Sequence, residues 1–117
     1  MNKQTDPAEL AKGIPFIVVD LLDYVPNAVV RKTILQKTTG AITVSSLDAG
    51  EKLVEKTLPF DLFVQIVDGT AGIIINEKDY RLVAGQCMVV PAHAKHRFQA
   101  NEQFKMIATL IKSGYED

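Results

Sequence analysis

The sequence has no tryptophan and one cysteine, Cys87, in 117 residues, so an internal disulfide is excluded. It also lacks a long apolar run. Nothing approaches the roughly 20 consecutive apolar residues of a membrane-spanning helix, which sets a membrane role aside. The first residues, Met1 to Pro7, hold no apolar stretch of the secretory kind. With a single thiol, this makes a reducing cytoplasm the expected location. Charge of either sign is not in excess: 13 lysines and arginines face 14 aspartates and glutamates, for a net charge of −1. A chain without a basic face has little with which to displace counterions from phosphates, so nucleic acid is not an expected partner. Histidine is scarce as well, with only His93 and His96 present.

What the chain does have is apolar content of 47% against 23% charged residues, the composition of a globular protein with one core. Its length predicts a single domain over residues 1–117. Helix signals are confined to the start, where Asp6 can cap, Pro7 suits a first helical position, Glu9 follows three after the cap and Gly13 can stop the turn. From Ile14 onward the pattern is of strands. Phe16 to Asp20 is a short apolar run, and Val29 to Gln36 and Ile42 to Leu47 flank the turn residues Thr38, Thr39 and Gly40. Leu62 to Val67 and Thr70 to Ile75 flank Asp68-Gly69, which predicts a tight hairpin there. Tyr80 to Val83, Cys87 to Val90, His96 to Ala100 and Phe104 to Ile111 complete the set. Many short strands with evenly spaced turns predict an all-β fold, a jelly-roll barrel with a short helix at its start.

Gly50, Pro59 and Gly69, then Gly85, Pro91 and His96, stand at the spacings of two motifs, over 50–69 and 85–100. In this frame the chain resembles the small single-domain cupins of the conserved-barrel type, whose fold is a double-stranded β-helix. The family's first motif carries two histidines and a glutamate that bind a metal, and the second carries a third histidine. Counted from Gly50, those first-motif positions fall on Lys56, Leu58 and Leu62. Counted from Gly85, the family's second glycine falls on His93, its histidine on His96 and its asparagine on Ala100. One ligand of four is therefore kept. An ammonium repels a cation and leucine has no lone pair to give, so neither a metal nor another cofactor is expected.

The resemblance implies a ligand site at His96, Lys56, Leu58, Leu62, Val64 and Phe98, with Ile66 also facing inward. Strand alternation from Leu62 turns Asp61, Phe63 and Gln65 the other way. The expected ligand is a small molecule, anionic or sugar-like, drawn by Lys56 and His96. The alternative is a small cupin enzyme. It would be either an oxygenase or isomerase whose metal site is rebuilt from Glu55, Asp61, His93 or Cys87, or a metal-free isomerase using His96 as general base. Cys87 is expected to be a small packed hydrophobe and His93 to fill a turn. Phe63, Gln65 and Val67 on the outer face predict a homodimer.

Overall fold

Short β-branched and apolar runs, each ended by residues that favour turns, leave the chain little choice but strands. The computed structural model describes residues 9–115. Its strands are β1 (Val29–Lys37), β2 (Gly40–Leu47), β3 (Lys56–Thr57), β4 (Leu62–Ile75), β5 (Lys78–Val83), β6 (Cys87–Val90), β7 (Lys95–Gln99) and β8 (Phe104–Ile111). All pairings are antiparallel. The main path runs β1-β2-β8-β4-β7-β3, with β5 and β6 also paired to β4. The all-β barrel architecture read from the sequence is the one observed.

Two local expectations change. Phe16 to Asp20 does not form a strand: Asp20 N–H donates to the Ile17 carbonyl at 3.0 Å and Leu21 N–H to that of Val18 at 3.2 Å, closing a 3-10 turn over Val18–Asp20. These local bonds satisfy the backbone groups that a ladder would otherwise take. The first half of the expected amino-terminal helix, with its Asp6 cap and Pro7, lies outside the described residues. From Glu9 to Gly13 the chain forms a bend and a turn. The Glu9 carboxylate, placed in the sequence to close a capping box, instead accepts the Gln36 N–H at 2.6 Å and meets Lys12 at 3.2 Å. It is therefore spent on the end of β1, and these partners hold its carboxyl below the usual range, the Gln36 bond most of all.

The largest correction concerns Asp68-Gly69, which is not a hairpin turn. β4 runs through it without a break. Its first part, from Leu62 to Gly69, lies between β8 and β6, and its second, from Thr70 to Ile75, lies between β5 and β7. A bulge between Ile66 and Asp68 marks the corner where the strand passes from one sheet to the other. A hairpin here would need the two halves of β4 to pair with each other, but their edges are already taken. The turn after Gly85 packs against the inside of the bend, with Gly85 N–H on the Ile66 carbonyl at 2.8 Å and Ala84 N–H on that of Gly69 at 3.1 Å. The nearby hairpin is instead Asn76-Glu77, both at positive φ (49° and 72°), between Ile75 and Lys78.

The segment before β1 is tied across this corner. Tyr24 donates its hydroxyl proton to Asp68, and the Lys105 ammonium lies 4.9 Å from the Tyr24 ring centre while donating to the Val19 carbonyl at 2.6 Å. Burial, followed by the Asp68 carboxylate, pushes the Tyr24 hydroxyl above its ordinary pKa. Between the sheets the core is filled by Phe104, Leu47, Ile66, Ile73 and Val64, all essentially without exposure. They close one part of the barrel by packing and leave a cavity in the other.

Candidate functional site

The candidate site begins with a laying-together of the two motifs. Gly50 N–H bonds the Ala100 carbonyl, Ala100 N–H that of Glu51, and Leu53 N–H that of Phe98, so the first-motif segment runs antiparallel along β7. The zipper ends in β3, where Lys56 pairs with His96. The frame glycines behave as the motifs require: Gly50, Gly69 and Gly85 have φ of 92°, 75° and 94°. His93, at the position where the family has glycine, takes φ 69°. It is exposed, and its backbone N–H donates to the Leu58 carbonyl at 2.6 Å, which fastens the turn after Pro91 to the first motif.

A cavity of about 160 Å3 opens between the sheets. Of the sequence-derived site residues, Lys56, Leu58, Leu62, His96 and Phe98 all border it. Val64 and Ile66 do not. Both face inward as alternation demands, but they lie farther along β4 and are packed solid, with 0% and 1% exposure. Leu62, the first residue of β4, is the one that borders this cavity. The outward set behaves as predicted: Phe63 is exposed, and Asp61 turns away from His96. Asp61 accepts the Ala92 N–H at 2.8 Å and the Tyr115 hydroxyl at 2.7 Å. The Tyr115 bond, then the Ala92 bond, holds the Asp61 carboxyl below its usual range, and the same contact raises the Tyr115 hydroxyl. The segment after β8 is thereby fixed beside the turn that follows Pro91, with Tyr115 edge-on to Phe60.

His96 is buried, with its ring edge-on to Phe98 at 6.1 Å between centres. Its Nδ1 lies 3.2 Å from the Ala94 carbonyl. A carbonyl can only accept, so Nδ1 is assigned the proton and Nε2 is the nitrogen left for a ligand. Lys56 is exposed and borders the cavity, which sets its ammonium at the mouth.

Sequence reasoning missed Arg31. It sits on β1 opposite Ser45, which is opposite Met106 on β8, so the three share one face of the sheet. The Arg31 Nε donates to the Ser45 hydroxyl at 3.4 Å, and both residues border the cavity. Arg31 comes from one sheet and Lys56 from the other. The only signal in the sequence was the adjacent cations Arg31 and Lys32 within a strand rich in β-branched residues, and nothing there said which of them faces inward. Among the described residues no aspartate or glutamate borders the cavity.

At the four positions where the cupin motifs place metal ligands, this cavity offers one imidazole, one ammonium and two hydrocarbon side chains. That set does not fit a divalent cation. Nor do the alternative donors converge. Asp61 is committed elsewhere, His93 and Glu55 are exposed, and Cys87 is exposed on β6 opposite Gln65, not packed as the sequence suggested. On β6 it is Met88 and Val90 that face the core. Among the described residues no three side chains of histidine, cysteine, aspartate or glutamate are grouped to hold a metal. A larger groove of about 370 Å3 lies over the β4–β5 ladder, but it is bordered by both charge signs, through Asp79, Arg81 and Glu102, and by none of the motif positions.

No family model matches the chain, and no curated protein does. Solved structures do. A conserved protein of unknown function from Streptococcus pyogenes is 28% identical, with a TM-score of 0.85 over 91% of this chain and 93% of that one. A cupin superfamily protein from Desulfitobacterium hafniense is 25% identical, with a TM-score of 0.82 over 88% of this chain and 94% of its own. A cupin 2 conserved barrel domain protein from Leptotrichia buccalis is 28% identical at a TM-score of 0.80 over 83% of this chain, which spans 47% of that longer protein. Among the described residues no helix is long and apolar enough to cross a membrane. In the course of its strands the chain has the fold of these small cupin barrels, to which it is similar over most of its length.

Proposed function

We propose that this cupin barrel is a metal-free binding module for a small organic anion. The observation that carries the reading is the convergence of Arg31, Lys56 and His96 on one largely apolar cavity that no carboxylate among the described residues borders. Two cations held near low-dielectric walls attract an anion more strongly than they would in open water. The His96 ring, protonated beside a bound anion, adds a further donor through Nε2. An exposed thiol at Cys87 suits a reducing compartment such as the cytoplasm.

Nuclear magnetic resonance titration of the two imidazoles with a panel of small carboxylates and sugar phosphates tests the reading. A bound anion is expected to shift the His96 resonances and leave those of exposed His93 in place, and His96→Ala is expected to weaken binding about tenfold, the effect of losing one charge-assisted hydrogen bond. Binding in the barrel that leaves His96 unmoved and tolerates His96→Ala would refute it.

The same barrel is proposed to work as a homodimer. On its outer face Phe63 pairs across strands with Val89, 37% and 56% exposed, beside exposed Cys87. Apolar side chains gathered in this way are the usual centre of a two-fold interface. Light scattering coupled to size exclusion is expected to give twice the 12.9 kDa chain mass, and Phe63→Glu is expected to shift the species toward that mass. A single 12.9 kDa species at micromolar concentration refutes the dimer.

A further inference from the structure

Building on the reading of the cavity as an anion site, we infer that its ligand is a monocarboxylate with a compact apolar body of about six carbon atoms, and that Arg31 selects the carboxylate. The size follows from the volume. A cavity of about 160 Å3 is close to the roughly 150 Å3 of an engineered apolar cavity that holds benzene.

The chemistry of the body follows from the walls. Leu53, Leu58, Leu62, Phe98, Met106 and Leu110 are among the apolar residues that line it. Inside the mouth only Thr43, Ser45 and His96 offer polar side chains, too few to partner a sugar that carries a hydroxyl on nearly every carbon. An aromatic or branched aliphatic body loses nothing there.

The head group follows from Arg31. It is exposed while bordering the cavity, so it stands at the mouth. Its Nε is held by the hydroxyl of buried Ser45, and among the described residues its two Nη groups meet no other hydrogen-bond partner. A guanidinium restrained on one side presents the remaining fork to a planar carboxylate, which it can bind through two parallel hydrogen bonds. Lys56, a point charge from the opposite sheet, attracts any anion and does not discriminate between shapes. The apolar body then lies inward toward Phe98 and Met106, and the carboxylate is held between the Arg31 fork and the His96 ring.

Calorimetry with benzoate, acetate and glucose 6-phosphate on the full chain and on Arg31→Lys tests the inference, with the His96 resonances reporting occupancy of the barrel. Benzoate is expected to bind at least tenfold more tightly than either acetate or glucose 6-phosphate. Arg31→Lys keeps the charge and loses the fork, and is expected to lose at least tenfold in benzoate affinity with an unchanged melting temperature, since Arg31 is exposed. Equal binding of glucose 6-phosphate and benzoate, with both shifting His96, overturns the ligand class and leaves the anion site standing. Unchanged benzoate affinity in Arg31→Lys overturns the role of Arg31. If none of the three shifts His96, the inference fails together with the reading on which it rests.

Discussion

Changing Lys56→His, Leu58→His and Leu62→Glu together is expected to convert the barrel into a tight metal binder, with a nickel or zinc dissociation constant at or below the micromolar range. The three positions and His96 border one cavity, and β3 already holds residue 56 opposite His96. The backbone that presents the ligands in metal-binding cupins is therefore in place, and only side-chain chemistry is missing. Two new imidazoles and a carboxylate with His96 make a donor set suited to a first-row metal. The exchange has a cost before metal is added. Leu62 is only 9% exposed, so a glutamate there loses apolar burial and must shed water, which destabilises the apo variant by about 3 kcal/mol. Metal at a hundredfold excess over its dissociation constant restores about 2.7 kcal/mol, because it binds the folded state alone. The variant should thus melt well below the parent without metal and close to it with metal. Calorimetric titration and thermal melts check both halves. If a folded triple variant binds metal no better than the parent, the register assigned to the first motif is wrong.

Gly69→Ala is expected to destabilise the protein by about 4 kcal/mol, an effect of the size that backbone strain and a clash produce together. A Cβ on Gly69 would stand 2.1 Å from the Gln103 carbonyl oxygen and 2.9 Å from the Phe104 Cα, and the residue has φ +75°. Both obstacles are backbone atoms. The loop before β8 would have to move, and Phe104, fully buried in the core, would move with it. For a chain of this length the loss corresponds to a fall of about 15 °C in melting temperature. Gly50→Ala provides the comparison: its φ is +92°, but nothing lies within 4 Å of a Cβ there. It should lose only the conformational term, about 1 kcal/mol. Urea unfolding of both variants separates crowding from backbone strain. Equal losses at the two positions would show that the close approach at the corner does not control stability.

The fold was legible because the signals that mark a small β-barrel are local. Turn residues at Thr38 and Thr39, Asn76 and Glu77, and Ala84 and Gly85 each stop a strand by their own dihedral preferences, whatever lies across the sheet. Most strand ends accordingly fall close to where the residue pattern puts them. Asp68-Gly69 misled for a physical reason. The same dipeptide can reverse a chain or bend one, and the choice depends on whether the flanking strands find partners in each other or elsewhere. Here β5, β6, β7 and β8 occupy the edges of β4, and the strand passes on from one sheet to the other.

The candidate site divides in the same way. Sequence alone set Lys56, Leu58, Leu62 and His96 at the spacings where the cupin motifs carry ligands, and one imidazole, one ammonium and two hydrocarbon chains do not make a donor set for a divalent cation, because these are properties of residue identity at fixed spacing. Alternation along a strand also told which side chains of β4 face inward. Only the tertiary structure decided how deep each one lies, sealing Val64 and Ile66 in the core and leaving Leu62 at the cavity. It also brought in Arg31, which comes from β1, outside both motifs. The charge that faces Lys56 across the mouth is set by the register of β1 on β2 and of β2 on β8, and pairing between strands distant in sequence is not written in the neighbourhood of any one residue.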